Sequence, residues 1–319
     1  MRALVTGAAG FVGQWLCREL LKRGFHVFGA LLEDEPPPGT LSPDERRHVQ
    51  WIQADVRLLE QCRRLVDESV PDAVFHLAGV AFLPTASADP GAALEVNVVA
   101  AARLLGVVRE RRRAGMIDPV VLIVGSGEQY GYHEESEQPL RECAEQRPMN
   151  VYAASKAAQE VVALEAFRSG GVRVIATRSF NHSGPGQSEQ FVLPALVARA
   201  LSLRRAGEDS LKLGNLATVR DFLHVADVVR AYVLLVERGT PGEAYNVASG
   251  RGVDVATLAR RILAYVGVDA KLEVDPTLVR AVDVPVLVGD AGKLRETTGW
   301  SPEHSLDTII EDLIRAKAR

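Results

Sequence analysis

Cysteine, lysine and long apolar runs are all scarce in this chain. Only Cys17, Cys62 and Cys143 occur in 319 residues, with no CxxC pair. That excludes a disulfide framework and a cysteine zinc site, and isolated thiols suit a reducing, cytoplasmic setting. Arginine outnumbers lysine 31 to 6, so each lysine is informative. The net charge of −4 argues against a general nucleic-acid binder, which needs clustered cations. The densest basic run, residues 109–113, reads as the solvated, dipole-complementing end of a helix. No uninterrupted apolar run approaches the roughly 18 residues of a membrane span. Residues 1–13 have the hydrophobicity of a signal peptide, but Gly7, Gly10 and Gly13 interrupt them at regular spacing.

What is present is an alternation. Short apolar runs at 2–6, 25–30, 50–54, 72–77, 119–124 and 172–177 read as strands. Amphipathic stretches at 11–23, 58–69, 90–112 and 151–169 read as helices, and the three prolines within 33–39 mark a loop. The connections are too long for hairpins, which predicts an α/β fold with a doubly wound parallel Rossmann sheet. After residue 178 the rhythm breaks. Short strand candidates at 211–213 and 244–247 mix with helices at 193–204, 225–237, 255–264 and 306–316. We expect a dinucleotide-binding domain over 1–178 and a smaller, mixed α/β substrate lobe over 179–319, with some segments free to return to the first domain.

Three motifs carry chemistry. Gly7-Ala8-Ala9-Gly10-Phe11-Val12-Gly13 joins the first strand to the first helix. Glycines there permit a tight turn and close approach of a pyrophosphate to free N–H groups at the helix start. The spacing is GxxGxxG. The acid expected near the end of the second strand is ambiguous: Glu33 lies in a solvated acidic loop, and no arginine stands beside it. NAD(H) and NADP(H) therefore both remain open. Asp55-Val56 suits contact with adenine or a helix cap equally well.

Tyr152 and Lys156 stand four apart on one helix face. A free phenol has a pKa near ~10, and a neighbouring ammonium would lower it toward use in proton transfer. Six tyrosines and six lysines give roughly 0.1 such pairs by chance. The third motif, Gly125-Ser126-Gly127-Glu128-Gln129-Tyr130-Gly131, follows the fifth strand, where open α/β sheets bind ligands. Ser126 suits a donor to a substrate carbonyl; Glu128 is either a general base or a loop charge. His76 reads as a core residue, and Asn97 as a brace within an apolar helix.

Together, TGxxGFxG, His76-Leu77-Ala78-Gly79, Ser126 and YxxxK resemble the extended short-chain dehydrogenase/reductase family that acts on nucleotide sugars. Residues 178–187 (RSFNHSGPGQ) resemble its substrate-binding segment. Leu213-Gly214-Asn215-Leu216 with Arg220, Asp221 and Asp227 resembles its second-lobe nucleotide site, and Gly299-Trp300-Ser301-Pro302 its C-terminal signature. The FNHxGPGQ and LGNL forms point within the family to GDP-sugars.

The resemblance implies roles. Gly7, Gly10, Phe11, Val12 and Gly13 would hold the pyrophosphate. Asp55 and Val56 would meet adenine, and Leu77, Ala78 and Gly79 would line the cofactor. Tyr152 would be the acid, tuned by Lys156, while Ser126 orients the C4 oxygen. Asn181, Arg220 and Arg280 would bind diphosphate and sugar; two guanidinium groups suit a diphosphate on chemical grounds as well. Three positions depart from the family pattern: Ala81, Ala281 and Gly127.

The expected reaction is NAD(P)H-dependent reduction of the C4 ketone of a GDP-4-dehydro-6-deoxyhexose. One rival is a 4,6-dehydratase or epimerase with Glu128 as base. A rival of another class is a non-catalytic dinucleotide sensor. A GDP-sugar is the expected partner, with no nucleic acid and no membrane. A homodimer through the helices at 90–112 and 151–169 follows from the resemblance.

Overall fold

The computed structural model describes residues 1–34, 39–279 and 283–317. Seven parallel strands form the main sheet: β1 (Arg2–Thr6), β2 (His26–Leu31), β3 (Val49–Gln53), β4 (Ala73–His76), β5 (Val120–Ser126), β6 (Arg173–Ser179) and β10 (Ala244–Val247). Their spatial order is β10-β6-β5-β4-β1-β2-β3, so the chain reverses direction across the sheet between β1 and β4. That switch point opens a crevice beyond the strand carboxyl ends.

Helices cover both faces. On one side α1 (Phe11–Lys22) and α9 (Val225–Arg238) pack together over a core that includes Leu16, Phe75, Leu122 and Tyr232. On the other, α3 (Leu59–Ser69), α6 (Ala100–Arg113) and α7 (Val151–Gly170) cover Val74, Val121 and Ile123 with Leu65, Leu104 and Ala163. The segment expected as one helix over 90–112 is compound: α5 (Pro90–Leu94), a π-helical turn (Glu95–Val99) and α6. The π turn seats the buried Asn97, whose carboxamide bonds Val80 N, Val80 O and the Ser155 hydroxyl. The whole 90–113 stretch has the length and hydropathy of a membrane span, yet nearly half of its apolar window is buried in the protein. Two short helices, α2 (Pro43–His48) and α4 (Leu83–Ala88), were not evident from apolar periodicity. A Ser42–Glu45 capping box starts α2.

The second lobe has its own core, built by α8 (Val192–Ala206), α10 (Val255–Val266) and α12 (Leu306–Lys317) around Leu196, Leu258 and Ile310. Its sheets are small. β9 (Val219–His224) lies between β11 (Gly252–Asp254) and β13 (Val286–Leu287) and also pairs with β7 (Asn181–Ser183); β8 (Ser210–Leu213) pairs with β12 (Lys271–Val274). These strands are two to six residues long, too short to declare a period. The chain crosses back from this lobe: β10 joins the main sheet beside β6, and α11 (Gly292–Thr298) packs on α9 and β10.

The return is tied by one buried carboxylate. Asp227, at the start of α9, accepts from the Glu303 and His304 amides at 2.9 and 3.0 Å and from Arg230 at 3.0 Å. The buried Trp300 indole donates to the Asp227 carbonyl at 3.0 Å. The Gly299–Pro302 signature is thus an anchor for the C-terminal segment. Burial pushes the Asp227 carboxyl up, but its three donors outweigh that and hold it below its ordinary value. A depressed carboxylate stabilises the fold above the ordinary range, and that contribution is lost as pH falls through it. Asp227→Asn should therefore cost about 2–3 kcal/mol at neutral pH, read from the urea midpoint, and should flatten the acid limb of stability.

Candidate functional site

A cleft of about 1180 Å³ runs between the lobes across the carboxyl ends of β1, β4, β5 and β6. Its first end is the glycine turn. Gly7 has φ +70, and a Cβ there would lie 2.9 Å from Ala78 N. A Cβ on Gly13 would lie 2.2 Å from Gly7 O, so helix and turn touch backbone to backbone. Gly10 differs: its Cβ would meet only Gly7 O, at 3.2 Å, and otherwise points into open space. The α1 N-terminus has no side-chain cap and no acid in its first turn. Its free N–H groups with Phe11, Val12 and Gly13 face the cleft and suit an anion. Leu77, Ala78 and Gly79 form the opposite wall. A Cβ on Gly79 would lie 2.7 Å from Asn97 Oδ1 and 3.4 Å from Lys156 Nζ, so only glycine fits. This cradle fits the pyrophosphate and nicotinamide of a dinucleotide.

Farther along, Glu33, Asp55 and Val56 line the cleft. The Asp55 carboxylate is bidentate with Arg57, at 2.7–3.0 Å, which holds it below its usual range despite partial burial. Its amide donates to Gln61 Oε1 at 2.6 Å. Glu33 is exposed.

At the centre stand Ser126, Glu128, Tyr152 and Lys156, all on the cleft wall. Ser126 ends β5 and accepts from the Glu128 amide at 3.2 Å. Tyr152 and Lys156 occupy one side of α7, which is capped by Asn150. Burial pushes the Tyr152 phenol up to about 12, opposed by its hydrogen bond with Ser126 and reinforced by the Glu128 charge. This reverses the direction expected from Tyr–Lys spacing. The physical reason is where the ammonium points: Lys156 Nζ donates to Val124 O at 2.8 Å and to Gln159 Oε1 at 3.0 Å. Burial alone pulls Lys156 down to about 8. The phenol consequently rests protonated, the form required of a proton donor.

The far wall belongs to the second lobe. Asn181 and Arg220 reach it. Arg220 pairs with Asp283 at 2.8 Å and also donates to Val284 O at 2.7 Å. Asp283 lines the same wall and escaped sequence reasoning, because a lone acid between valines carries no motif. So did Phe82 and Phe191, whose rings meet edge-on at 5.9 Å within the cleft wall. Arg280 lies outside the described residues, as does Ala281. Three residues of the substrate-segment motifs turn away from the cleft. Arg178 is buried against Glu160 at 2.7 Å, Asp221 accepts from Ser249, Gly250 and Gly289, and Asp227 holds the C-terminal segment. Arg178 and Asp221 lie on strands and Asp227 in the first turn of α9, and the need to pair buried charge accounts for all three. His76 is a core residue as expected: its Nδ1 is 2.8 Å from Thr6 Oγ1, and burial drives its pKa to about 3. Gly127 is small because a Cβ there would lie 3.0 Å from the Phe180 ring.

Known proteins match this chain over nearly its whole length. The family described as GDP-mannose 4,6 dehydratase matches residues 4–313. The GDP-6-deoxy-D-mannose reductase of Pseudomonas aeruginosa is 33% identical over 98% of this chain and 96% of its own. The GDP-6-deoxy-D-talose 4-dehydrogenase of Aggregatibacter actinomycetemcomitans is 28% identical over 99% and 97%. The solved structure of RMD from Pseudomonas aeruginosa, complexed with NADPH, superposes with a TM-score of 0.82 at 28% identity, covering 99% of this chain and 98% of that one. The chain belongs to the GDP-mannose 4,6-dehydratase family of extended short-chain dehydrogenases/reductases, nicotinamide-dependent enzymes of nucleotide sugars.

Proposed function

We propose that the protein reduces the C4 ketone of a GDP-4-dehydro-6-deoxyhexose, giving GDP-rhamnose or its C4 epimer. The observation that carries this reading is the Tyr152 phenol and the Ser126 hydroxyl together at the centre of one cleft, between a glycine cradle and a second wall that carries Arg220 and Asn181. The full-length likeness to a GDP-6-deoxy-D-mannose reductase supports it.

The bound nicotinamide supplies the hydride. The chain's own residues do the rest. Arg220 and Asn181 hold the diphosphate and sugar across the cleft, the guanidinium matching phosphate oxygens with planar donors. The Ser126 hydroxyl donates to the C4 oxygen, and the Tyr152 phenol gives that oxygen its proton as negative charge develops. The Lys156 ammonium, fixed by Val124 O and Gln159 one helical turn from Tyr152, adds positive potential that stabilises the phenolate left once the proton is given up. NADH and NADPH are both consistent with the cradle. The 2′-phosphate would fall near Glu33 and the Asp55–Arg57 pair, where the two signs of charge compete.

A second reading is 4,6-dehydration, favoured by one observation: the Glu128 carboxylate shares the cleft wall with Ser126 and Tyr152. There it would remove the proton at C5, α to the ketone.

A homodimer through α6 and α7 accompanies this proposal. Val99 and Ala102 are exposed and Gly106 follows at the same three- to four-residue spacing, while Ala154 and Val161 are exposed on α7. Gly106 is instructive. Glycine in a helix costs about 1 kcal/mol relative to alanine, yet a Cβ there would meet nothing within 4 Å. A neighbouring helix approaching closely is a reason for it. We place the protein in the cytoplasm, in keeping with its isolated thiols.

Three outcomes follow. With GDP-4-dehydro-6-deoxy-mannose, absorbance at the nicotinamide band should fall stoichiometrically with one of NADH or NADPH, and Tyr152→Phe should lower kcat by about 10²–10⁴-fold with KM little changed. No oxidation, with GDP-mannose instead losing water, would sink the reductase and establish Glu128 as base. Second, kcat should decline as pH rises through about 8, where Lys156 loses its charge; the acid itself, held near 12, stays loaded. Lys156→Met should be slow and lack that limb in the pH–rate profile. Third, Gly106→Leu should convert dimer to monomer by sedimentation while leaving the fold intact by circular dichroism.

A further inference from the structure

Behind the cleft lies a polar network that no ligand would touch. Gln129 is fully buried, as is Tyr130; Glu160 and Arg178 are nearly so. Gln129 Oε1 accepts from the Ser126 backbone N–H at 2.7 Å, and its Nε2 donates to Glu160 Oε2 at 3.0 Å. Glu160 takes two bonds from Arg178, at 2.9 and 2.7 Å, and one from Gln146 at 2.8 Å. Arg178 in turn donates to the Tyr130 hydroxyl and to Glu142 O, both at 2.9 Å. The fold makes room for this arrangement. A Cβ on Gly125 would lie 2.4 Å from Gln129 Oε1, so only glycine admits the carboxamide.

We propose that Gln129, Glu160 and Arg178 are positioning residues that set the Ser126–Glu128 turn, and through it the hydroxyl that orients the substrate carbonyl. The geometry is directional. Arg178 on β6 fixes Glu160 on α7, Glu160 orients the Gln129 amide, and Gln129 holds Ser126 at the end of β5. Glu160 lies one turn beyond Lys156, itself one turn beyond Tyr152. The same helix face therefore carries the proton donor, its cation and the carboxylate that anchors the opposing serine. The spacing between Ser126 and Tyr152 is set by one rigid body rather than by two loops. An amide whose N–H is pinned by a carboxylate is also a better acceptor, which strengthens its hold on the Ser126 N–H.

The proposal rests on the ketone-reductase reading for its kinetic arm but not for its structural one. Gln129→Met conserves volume and removes its bonds to Ser126 and Glu160 and a third, from Nε2 to Gln146 Oε1 at 3.3 Å. Its kcat should fall about 10- to 100-fold, with KM for sugar nucleotide and dinucleotide within about twofold. In a Ser126→Ala background the same substitution should change kcat by less than about twofold, because the group it positions is gone. Gln146→Met is the structural control: it loses its bond to Glu160 and the 3.3 Å bond from Gln129 Nε2 but leaves the Gln129–Ser126 bond in place, and its kcat should stay near wild type. Independently of substrate, amide exchange of Ser126 should be protected in the wild type and accelerate at least about tenfold in Gln129→Met. Should Gln129→Met not fold, Glu160→Gln enters the same cycle, and an unprotected Ser126 amide in the wild type would by itself overturn the proposal. Equal effects of Gln129→Met with and without Ser126, or unchanged Ser126 exchange, would also overturn it. Absence of ketone reduction by the wild type, with the exchange result intact, would reject the substrate assignment and leave the positioning role standing.

Discussion

One buried helix face governs the site. Tyr152, Lys156 and Glu160 recur every four residues along α7 and are pressed against β5 and β6. Ionisable groups cannot be taken out of water, almost fully as Lys156 and Glu160 are or partly as Tyr152 is, unless each finds a partner or gives up its charge. Each resolves this differently. Glu160 keeps its charge, because Arg178 and two amides repay desolvation and hold its carboxyl below the ordinary range. Among the described residues Lys156 has two oxygen acceptors and no counter-ion, and burial pulls it down to about 8. Among the described residues Tyr152 has no cation in bonding distance, and burial holds its phenol protonated. A neutral phenol one turn from a buried ammonium, the pair that the proposed ketone reduction would use, is thus a consequence of how the helix is buried.

That face acts only if the second lobe brings a substrate to it, and the two lobes are fastened on the opposite side of the sheet. Asp227 and Trp300 join the C-terminal segment to α9, and α9 packs on α1, whose N-terminus forms the anion cradle. From α1 the Trp15 indole donates to Pro185 O at 3.0 Å, and Phe11 stacks on His182 with ring centroids 6.4 Å apart. The glycine turn and the Asn181–Gly186 segment are therefore tied directly to each other. Arg220 is already half-neutralised by Asp283, which limits the cost of keeping a guanidinium on the cleft wall. A diphosphate arriving there meets a cation already oriented rather than one that must be recruited from solvent.

The parts legible in the sequence were those whose chemistry fixes both residue type and spacing. A turn that must bring backbone to within bonding distance of a phosphate can only be glycine, so Gly7, Gly10 and Gly13 announce themselves. Tyr152 and Lys156 lie one helical turn apart and declare their shared face. Long parallel strands, buried on both sides, read as unbroken apolar runs, which made six strands of the main sheet visible. The seventh, β10, was legible as a strand but not as a member of that sheet, because a four-residue run says nothing about which neighbour it will find. The second lobe's strands are shorter still, and their stability comes from α8, α10 and α12 rather than from their own pattern.

Polar residues that act through other residues are the hardest to see. Gln129, Glu160 and Arg178 sit at separations of 31 and 18 residues and are joined only by the fold. In the sequence Arg178 looks like the first residue of a substrate-binding segment, because the motif runs unbroken from the end of β6 into β7 although the two strands belong to different sheets. Its side chain goes to the core and that of Asn181 to the cleft. Gly125 and Gly127 look like loop glycines, although one makes way for the Gln129 carboxamide and the other for the Phe180 ring. A motif read along the chain therefore mixes two populations: groups that meet the substrate, and groups that hold the first in place. Burial separates them, since a charged side chain without solvent must spend its bonds on the protein, and those bonds mark what it positions.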